Sequence, residues 1–365
     1  MVSWFSKLVV ATTVRMPKWF VRWVSRRYVA GDSLEDAVAV MKRLSGEGAC
    51  FTVDVLGEEI SSMDEAAFFL EEYIRVMRAI KEHGFDANIS IKPTAFGLLI
   101  DPEKGMENIR KMVSMAAEEN MFVRLDMEDH RVTQSTIDVV TTLHDEGLVN
   151  VGTVLQGRLF RTLSDIDHLE TTLGPAADYR ICKGIYLEPE EISFTAYRDI
   201  VDATNAAIDK MFSAGAYVGV ASHDTPVIDH TLSALKAHGM GPGIDDPRRN
   251  AGGARHHHKG PGYEFQLLLG VRGPMRRRLL SEGHRTRVYI PYGEKWYEYS
   301  IRRLKENPTI GSHVAKAFLM PWTNRPFLFF FLGRFLVALG LTPFLTCSLG
   351  RSGLGLCPRR PSFHA

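Results

Sequence analysis

Apolar residues through the middle of the chain fall into short runs, rich in β-branched side chains, that alternate with amphipathic stretches of helical length. The runs are CFTVDVLG (50–57), NISIKPT (88–94), MFVRLDME (121–128), VNVGTVLQG (149–157), YRICKGIY (179–186), AYVGVASHD (216–224), YEFQLLLG (263–270) and TRVYIPYG (286–293). Turn signals bound each one, and each has the length of a strand. The stretches between them carry helix start and stop signals. SMDEAAFFLEEYIRVMRAIKEHG opens with Ser62 as N-cap and Glu65 three residues on, the pattern of a capping box, and closes at Gly84. TLSDIDHLETTLG and TPVIDHTLSALKAHG likewise open with Thr and close with Gly. Eight near-continuous apolar strands, each followed by a helix, predict a parallel sheet covered on its outer face, closed into a (β/α)8 barrel. An open doubly wound sheet is the alternative. Residues 240–262 form the one long irregular stretch and are expected at the face where strand 7 begins.

Composition adds limits more than direction. In 365 residues, 45% are apolar and 24% charged, as in a soluble globular chain, and the net charge of +1 gives no bulk case for nucleic acid. Cys50, Cys182, Cys347 and Cys357 form no CxxC pair; they read as small buried residues in a reducing, cytoplasmic setting. The glycines of GMGPG follow a helix without opening another, so they mark a turn and no dinucleotide site. His256–His258 lie consecutively, without the spacing of a tetrahedral metal site. The ends differ from the middle. Residues 4–29 are basic and aromatic with no acid, which fits helices packed on the domain or a helix at a membrane surface. The tail RPFLFFFLGRFLVALGLTPFLTCSLG is apolar enough to span a bilayer but is interrupted by Arg334 and Pro343. The expected organisation is therefore N-terminal helices over 1–45, the barrel over 46–325, and an apolar tail over 326–365.

In a barrel, chemistry gathers at the C-terminal ends of the strands. Those positions hold Glu58; Lys92 and Thr94; Asp126, Glu128 and Asp129; Gln156; Arg180, Lys183 and Tyr186; His223 and Asp224; and Tyr289. Asp129 or Thr133, and Asp224 or Thr225, suit helix caps. Lys92, Asp126 and Arg180 are harder to assign to structure, because an unpaired charge inside an apolar strand costs several kcal/mol, on the order of 2–7 for even an unbonded polar group. A Lys92–Asp126 pair leaves Arg180 and Lys183 as surplus cations, which an anionic ligand would neutralise. After strand 8, Tyr297, Ile301 and Leu304 fall on one helical stripe; Tyr299, Arg302, Arg303 and Glu306 fan across the other side, as an ordinary solvated face would.

RVYIPYGEKWYEYSIRRLKENP (287–308) resembles the signature of the proline dehydrogenases, flavoenzymes that oxidise L-proline. VDVLGE, ISIKPTAFG, FVRLDMED, VLQGRLFRT, KGIYLEP, ASHD and EFQLLLGVRG follow the same family in strand order, over roughly residues 30–325. The resemblance implies a distorted (β/α)8 barrel with N-terminal helices, a last helix capping the C-terminal mouth, and FAD held there noncovalently. It implies that Arg302, Arg303 and Lys92 bind the proline carboxylate and that Asp126 lies near the substrate amine. Tyr186, Leu268, Tyr289 and Tyr299 would wall the ring, with Tyr299 favouring proline over bulkier rings. Gln156, Arg180, Cys182, Lys183, Gly184, His223 and Glu306 would surround the flavin, and Glu58 with Arg180 would form an ion-pair gate.

The implied reaction is hydride transfer from proline C5 to flavin N5, giving Δ1-pyrroline-5-carboxylate, the first step of proline catabolism. Electrons would pass to a quinone of the membrane chain, with peripheral contact at the inner face of the cell membrane and a separate pyrroline-5-carboxylate dehydrogenase downstream. The bifunctional relatives' extensions are absent from the sequence, so the resemblance implies a monofunctional enzyme. Cys182 replaces an apolar branched residue, and the threonine implied near the flavin has no equivalent placed around Val201–Thr204. Two other readings compete: a lyase or aldolase with Lys92 as Schiff-base nucleophile, and a non-catalytic barrel anchored by its ends.

Overall fold

A computed structural model of the chain describes residues 21–22, 25–248, 262–297 and 299–300. Eight parallel strands close in sequence order: β1 (Cys50–Val55), β2 (Ala87–Ile91), β3 (Val123–Leu125), β4 (Val151–Gln156), β5 (Asp178–Cys182), β6 (Tyr217–Ala221), β7 (Tyr263–Leu268) and β8 (Thr286–Tyr292). β8 returns to pair with β1 from Cys50 with Arg287 to Val55 with Tyr292, which excludes the open sheet. Six of the eight predicted runs contain their strand, β2 and β5 begin one residue before theirs at Ala87 and Asp178, and the polar or glycine end of each run becomes the loop beyond it. In NISIKPT, the ladder stops at Ile91 and Pro93–Phe96 turn as a 3-10 helix closed by Gly97 at φ +98°.

The strands read differently from the near-continuous apolar runs expected of them. Phe51, Val53 and Val55, Ile89 and Ile91, Tyr179 and Ile181, Phe265 and Leu267, and Val288 and Ile290 join the helices in one hydrophobic core. Their alternate neighbours are polar: Thr52 and Asp54, Asn88 and Ser90, Asp178 and Arg180, Glu264 and Gln266, Arg287 and Tyr289. Several of those side chains bond across the barrel between non-adjacent strands, Arg180 on β5 with Gln266 on β7 among them, and Arg287 on β8 forks onto Glu264 of adjacent β7. The interior is thus filled by charge and hydrogen bonds in place of the branched aliphatic layers usual in such barrels. The driving force for closure lies in the outer layer, between sheet and helices.

Helices follow the strands as the periodicity predicts, at Met63–Glu82, Pro102–Glu118, His130–Asp145, Thr162–Leu173, Tyr197–Ser213, Thr225–Ala237 and Gly273–Ser281. The capping box is displaced by one residue: Ser62 is the N-cap but makes no side-chain cap bond, and the Glu65 carboxylate accepts from the N–H and Oγ of Ser61. Asp129 caps its helix through Arg131 N–H. Asp224 is an N-cap by position only, because its carboxylate is taken by Lys183.

A helix before the barrel, Leu34–Ser45, packs Leu34, Ala37, Val38, Met41 and Leu44 inward. The chain leading to it bonds to the exit of β8, Ala30 N–H to Pro291 O at 2.8 Å and Gly293 N–H to Gly31 O at 3.0 Å. Among the described residues no helix is long and apolar enough to cross a membrane. The basic segment before residue 21, His256–His258, Ile301, Arg302, Arg303, Leu304, Glu306 and the apolar tail with Cys347 and Cys357 lie outside the described residues.

Candidate active site

At the C-terminal ends of β1, β2, β3, β5 and β8 the predicted side chains meet, with partners the sequence did not reveal. Lys92, the residue before the 3-10 turn, pairs with Asp54 of β1, whose carboxylate is fully buried. Asp126 pairs with Arg180, accepts from Ser90 Oγ at 2.5 Å through the same oxygen, and accepts from Tyr289 OH at 2.7 Å through the other. Lys183 pairs with Asp224. The expected Lys92–Asp126 pair with surplus cations is therefore corrected: each of the three cations has its own acid. A surplus of positive charge at these strand ends no longer argues for an anion.

Burial opposes the Lys92 charge, but Asp54 and Asp126 outweigh it and hold the ammonium above the ordinary lysine range. An ammonium so held is not a Schiff-base nucleophile, which counts against the aldolase reading. Burial likewise opposes ionised Asp126, and Arg180 with Lys92 outweighs it, leaving that carboxyl below the usual range. Burial, reinforced by Asp126, keeps Tyr289 a neutral phenol that donates to the carboxylate.

Glu128 behaves oppositely. Burial raises it to about 7, against two hydrogen bonds from Thr94, N–H at 3.1 Å and Oγ1 at 2.6 Å. Thr94 Oγ1 also accepts from Glu59 N–H at 3.0 Å, so one threonine joins the loops after β1, β2 and β3. Because the unfolded carboxyl titrates near 4.5, the folded protein holds a proton that the unfolded chain releases between about pH 4.5 and 7. This group's contribution to stability therefore falls as pH rises through that window. Glu128→Gln should raise stability at pH 8 by up to about 3 kcal/mol and change it little at pH 4. Urea midpoints measured at both pH values check this, and an equal change at both would overturn it.

On the other side of the mouth, Gln156 donates through Nε2 to Glu128 O at 2.8 Å, while its buried Oε1 has no hydrogen-bond partner among the described residues. Two glycines border it. Gly184 has φ +89°, and a Cβ there would lie 2.6 Å from Gln156 Oε1; at Gly157 a Cβ would lie 2.1 Å from Thr204 Oγ1. Thr204, passed over in the sequence, is thus packed at the end of β4. His223 Nε2 accepts from Leu268 N–H at 3.0 Å, so when neutral its ring proton is on Nδ1. Cys182 ends β5 half-buried.

Leu268 and Tyr289 are register partners on β7 and β8 and share one wall. Tyr299 is buried with Val29 and Leu56 over the exit of β1. Tyr186 is half-buried in the loop after β5, its carbonyl accepting from Arg158. Glu58 is half-buried in the loop after β1, whereas Arg180 is only 6% exposed and committed to Asp126, Ser90 and Gln266. Sequence reasoning missed Asp54, Ser90, Glu264, Gln266 and Arg287. Asp54 carried the same signal as Asp126, an acid in an apolar run.

A closed parallel barrel with salt bridges and a phenol bonded to a carboxylate gathered at its C-terminal end has the layout of a (β/α)8 enzyme. The model of the family described as proline dehydrogenase matches residues 37–316. Over 300 residues the chain is 34% identical to the proline dehydrogenase of Deinococcus radiodurans, covering 81% of this chain and 90% of that one. It is 33% identical over 300 residues to proline dehydrogenase 2 of Bacillus subtilis strain 168, covering 82% and 91%. The chain belongs to the proline dehydrogenase family. A solved structure of proline utilization A from Bdellovibrio bacteriovorus superposes with a TM-score of 0.67 at 21% identity, over 78% of this chain and 33% of that one, a likeness of fold.

Proposed function

We propose that this protein oxidises L-proline to Δ1-pyrroline-5-carboxylate with bound FAD as the hydride acceptor. Family membership supports the substrate, and the observation that carries the site is the Asp126 carboxylate held by Arg180, Ser90 and Tyr289 beside the Lys92–Asp54 pair. The ends of β4 and β5 fit a flavin: they offer the orphaned acceptor of Gln156, space that a Cβ at Gly184 would fill, and the guanidinium of Arg180. Gln156, Arg180, Cys182, Lys183, Gly184, His223 and Glu306 would hold it. Bound there, the flavin supplies the two-electron oxidant for the hydride leaving ring C5.

The remaining work belongs to the chain. Arg302 and Arg303, with Lys92, take the substrate carboxylate, for which a guanidinium fork is suited. Since Lys92 is already paired with Asp54, the two arginines carry most of that charge. Asp126 orders the Tyr289 hydroxyl, which with Leu268, Tyr186 and Tyr299 walls the pyrrolidine ring and excludes water. Arg180 is fixed inside the barrel, so a gate with Glu58 closes by movement of the β1 loop. Electrons leave to a quinone, at the cytoplasmic face of a membrane that the chain contacts peripherally, and a separate pyrroline-5-carboxylate dehydrogenase takes the product.

The purified protein should be yellow, with a flavin spectrum that bleaches when L-proline is added without oxygen. A colourless protein, or a flavin that proline leaves oxidised, would sink the proposal.

A further inference from the structure

Beneath Asp126 the polar interior continues away from the mouth in an unbroken chain of bonds. Arg287 forks onto Glu264, Nε to Oε1 at 2.7 Å and Nη2 to Oε2 at 2.9 Å, and Tyr217 OH adds a bond to Oε2 at 2.9 Å. Gln266 Nε2 donates to Glu264 Oε1 at 2.6 Å, and Gln266 Oε1 accepts from Arg180 Nε. Among the described residues Gln266 is the one hydrogen-bond partner of Arg180 Nε.

The direction of the Gln266 amide follows from its partners. Glu264 accepts from Arg287 through both carboxylate oxygens, and a guanidinium only donates. The amide must therefore turn its nitrogen to Glu264 and its oxygen to Arg180. Space for it comes from Gly219 on β6, where a Cβ would lie 2.4 Å from Gln266 Nε2. The Arg180 guanidinium is then set on three sides. Gln266 holds Nε, Asp126 and Ser90 hold Nη1, and the Tyr289 ring lies 5.4 Å from its carbon. Its Nη2 makes no hydrogen bond among the described residues.

We propose that Gln266 is a positioning residue for the oxidation, a neutral amide that anchors on Glu264 and aims the Nη2 edge of Arg180 at the flavin. The inference rests on the flavin-dependent reading above. Neutrality is the point of a glutamine here. A permanent carboxylate at 266 would cancel the charge of Arg180, while an aliphatic side chain would leave its Nε edge unbonded in a buried site.

The test compares the wild-type holoenzyme with Gln266→Leu and Gln266→Glu. Leucine should lower kcat at least tenfold and change KM for proline less than threefold. It should also lower bound flavin per protein and shift the flavin absorbance bands, readouts that loss of packing elsewhere would not move together. A protonated glutamic acid has the donor and acceptor pattern of glutamine, its hydroxyl donating to Glu264 and its carbonyl accepting from Arg180. Gln266→Glu should therefore match wild type in kcat and spectrum at low pH and fall toward Gln266→Leu as pH rises, a step the wild type lacks. The charged and titratable groups around that carboxyl are Glu264 and Arg180, which bond the side chain at 266, and the partners of those two, Arg287, Arg285 and Tyr217 on Glu264 and Asp126 on Arg180; none of these is changed by the substitution.

Wild-type spectrum and kcat in Gln266→Leu would overturn the proposal. So would Gln266→Glu depressed equally at every pH, which would make the residue merely structural. If leucine prevents folding, the pH comparison within Gln266→Glu alone still decides. A wild-type protein without flavin overturns the parent reading and this one with it, and shows itself before any variant is made.

Discussion

Asp126→Ala should lower turnover with L-proline by about a hundredfold or more, with flavin loosened and stability reduced by about 3–5 kcal/mol. The two effects have separate origins. Asp126 is the common acceptor for Arg180, Ser90 and Tyr289, three groups from three strands. Without it, the Tyr289 hydroxyl loses its acceptor and Arg180 keeps only its bonds to Gln266 and Ser90. Misplacing either by about 1 Å is enough for a hundredfold loss when orientation carries the rate. The stability cost comes from Arg180, which remains charged, 6% exposed and without its counter-ion.

Asp126→Asn separates the contributions. The amide oxygen can still accept from Tyr289, but the charge facing Arg180 is gone and the NH2 must turn toward a donor or toward Ser90 Oγ. Turnover should stay low in asparagine while flavin content recovers in part. Wild-type kcat in Asp126→Asn, measured with a dye acceptor on protein of known flavin content, would remove Asp126 from the machinery. An alanine variant that is merely unfolded, with asparagine fully active, would make the residue structural.

Much of this fold is legible in the sequence because the outer face of the barrel is written locally. A short apolar run bounded by turn signals and an amphipathic stripe within a helix are properties of neighbouring residues, so the eight strands and the seven helices described between them could be read in order. Helix termini depend on one or two bonds, which is why the box expected at Ser62 is found at Ser61. The interior is another matter. That Lys92 meets Asp54 and Asp126 meets Arg180 depends on barrel shear and on side chains crossing between strands far apart in the chain, 86 residues for Arg180 and Gln266 and 163 for Asp126 and Tyr289. No spacing rule in one sequence carries that information.

The misreading of Lys92 shows the consequence. Taken from the sequence, a Lys92–Asp126 pair leaves Arg180 and Lys183 over; in the barrel, Asp54 takes Lys92 and so frees Asp126 for Arg180, while Asp224 takes Lys183. Asp54 was visible as an acid inside CFTVDV but lay one position short of the strand end, where the search for chemistry began. Gln266 gave no signal at all, since an uncharged amide in a half-polar run has nothing to mark it until its two partners are seen.

Arg287→Met should be among the most destabilising single changes in the protein, at about 3–5 kcal/mol, although Arg287 lies below the Asp126 site. Arg287 is 2% exposed, and its three nitrogens bind Glu264 twice and the Phe51 carbonyl once. Removing it leaves Glu264, which is fully buried, with Tyr217, Gln266 and a longer contact from Arg285 at 3.4 Å. Against a typical total of about 5–15 kcal/mol, that loss should move the urea midpoint far enough to measure at once. Adding Glu264→Leu should recover part of it, because a buried pair replaced by apolar side chains costs less than a buried charge left alone. A double variant less stable than Arg287→Met would contradict this account. The recovery should stop at stability. In the double variant Gln266 has lost the carboxylate that fixes its amide, so kcat should remain low in a protein that folds well, and the two properties of the interior, holding the barrel and aiming Arg180, come apart.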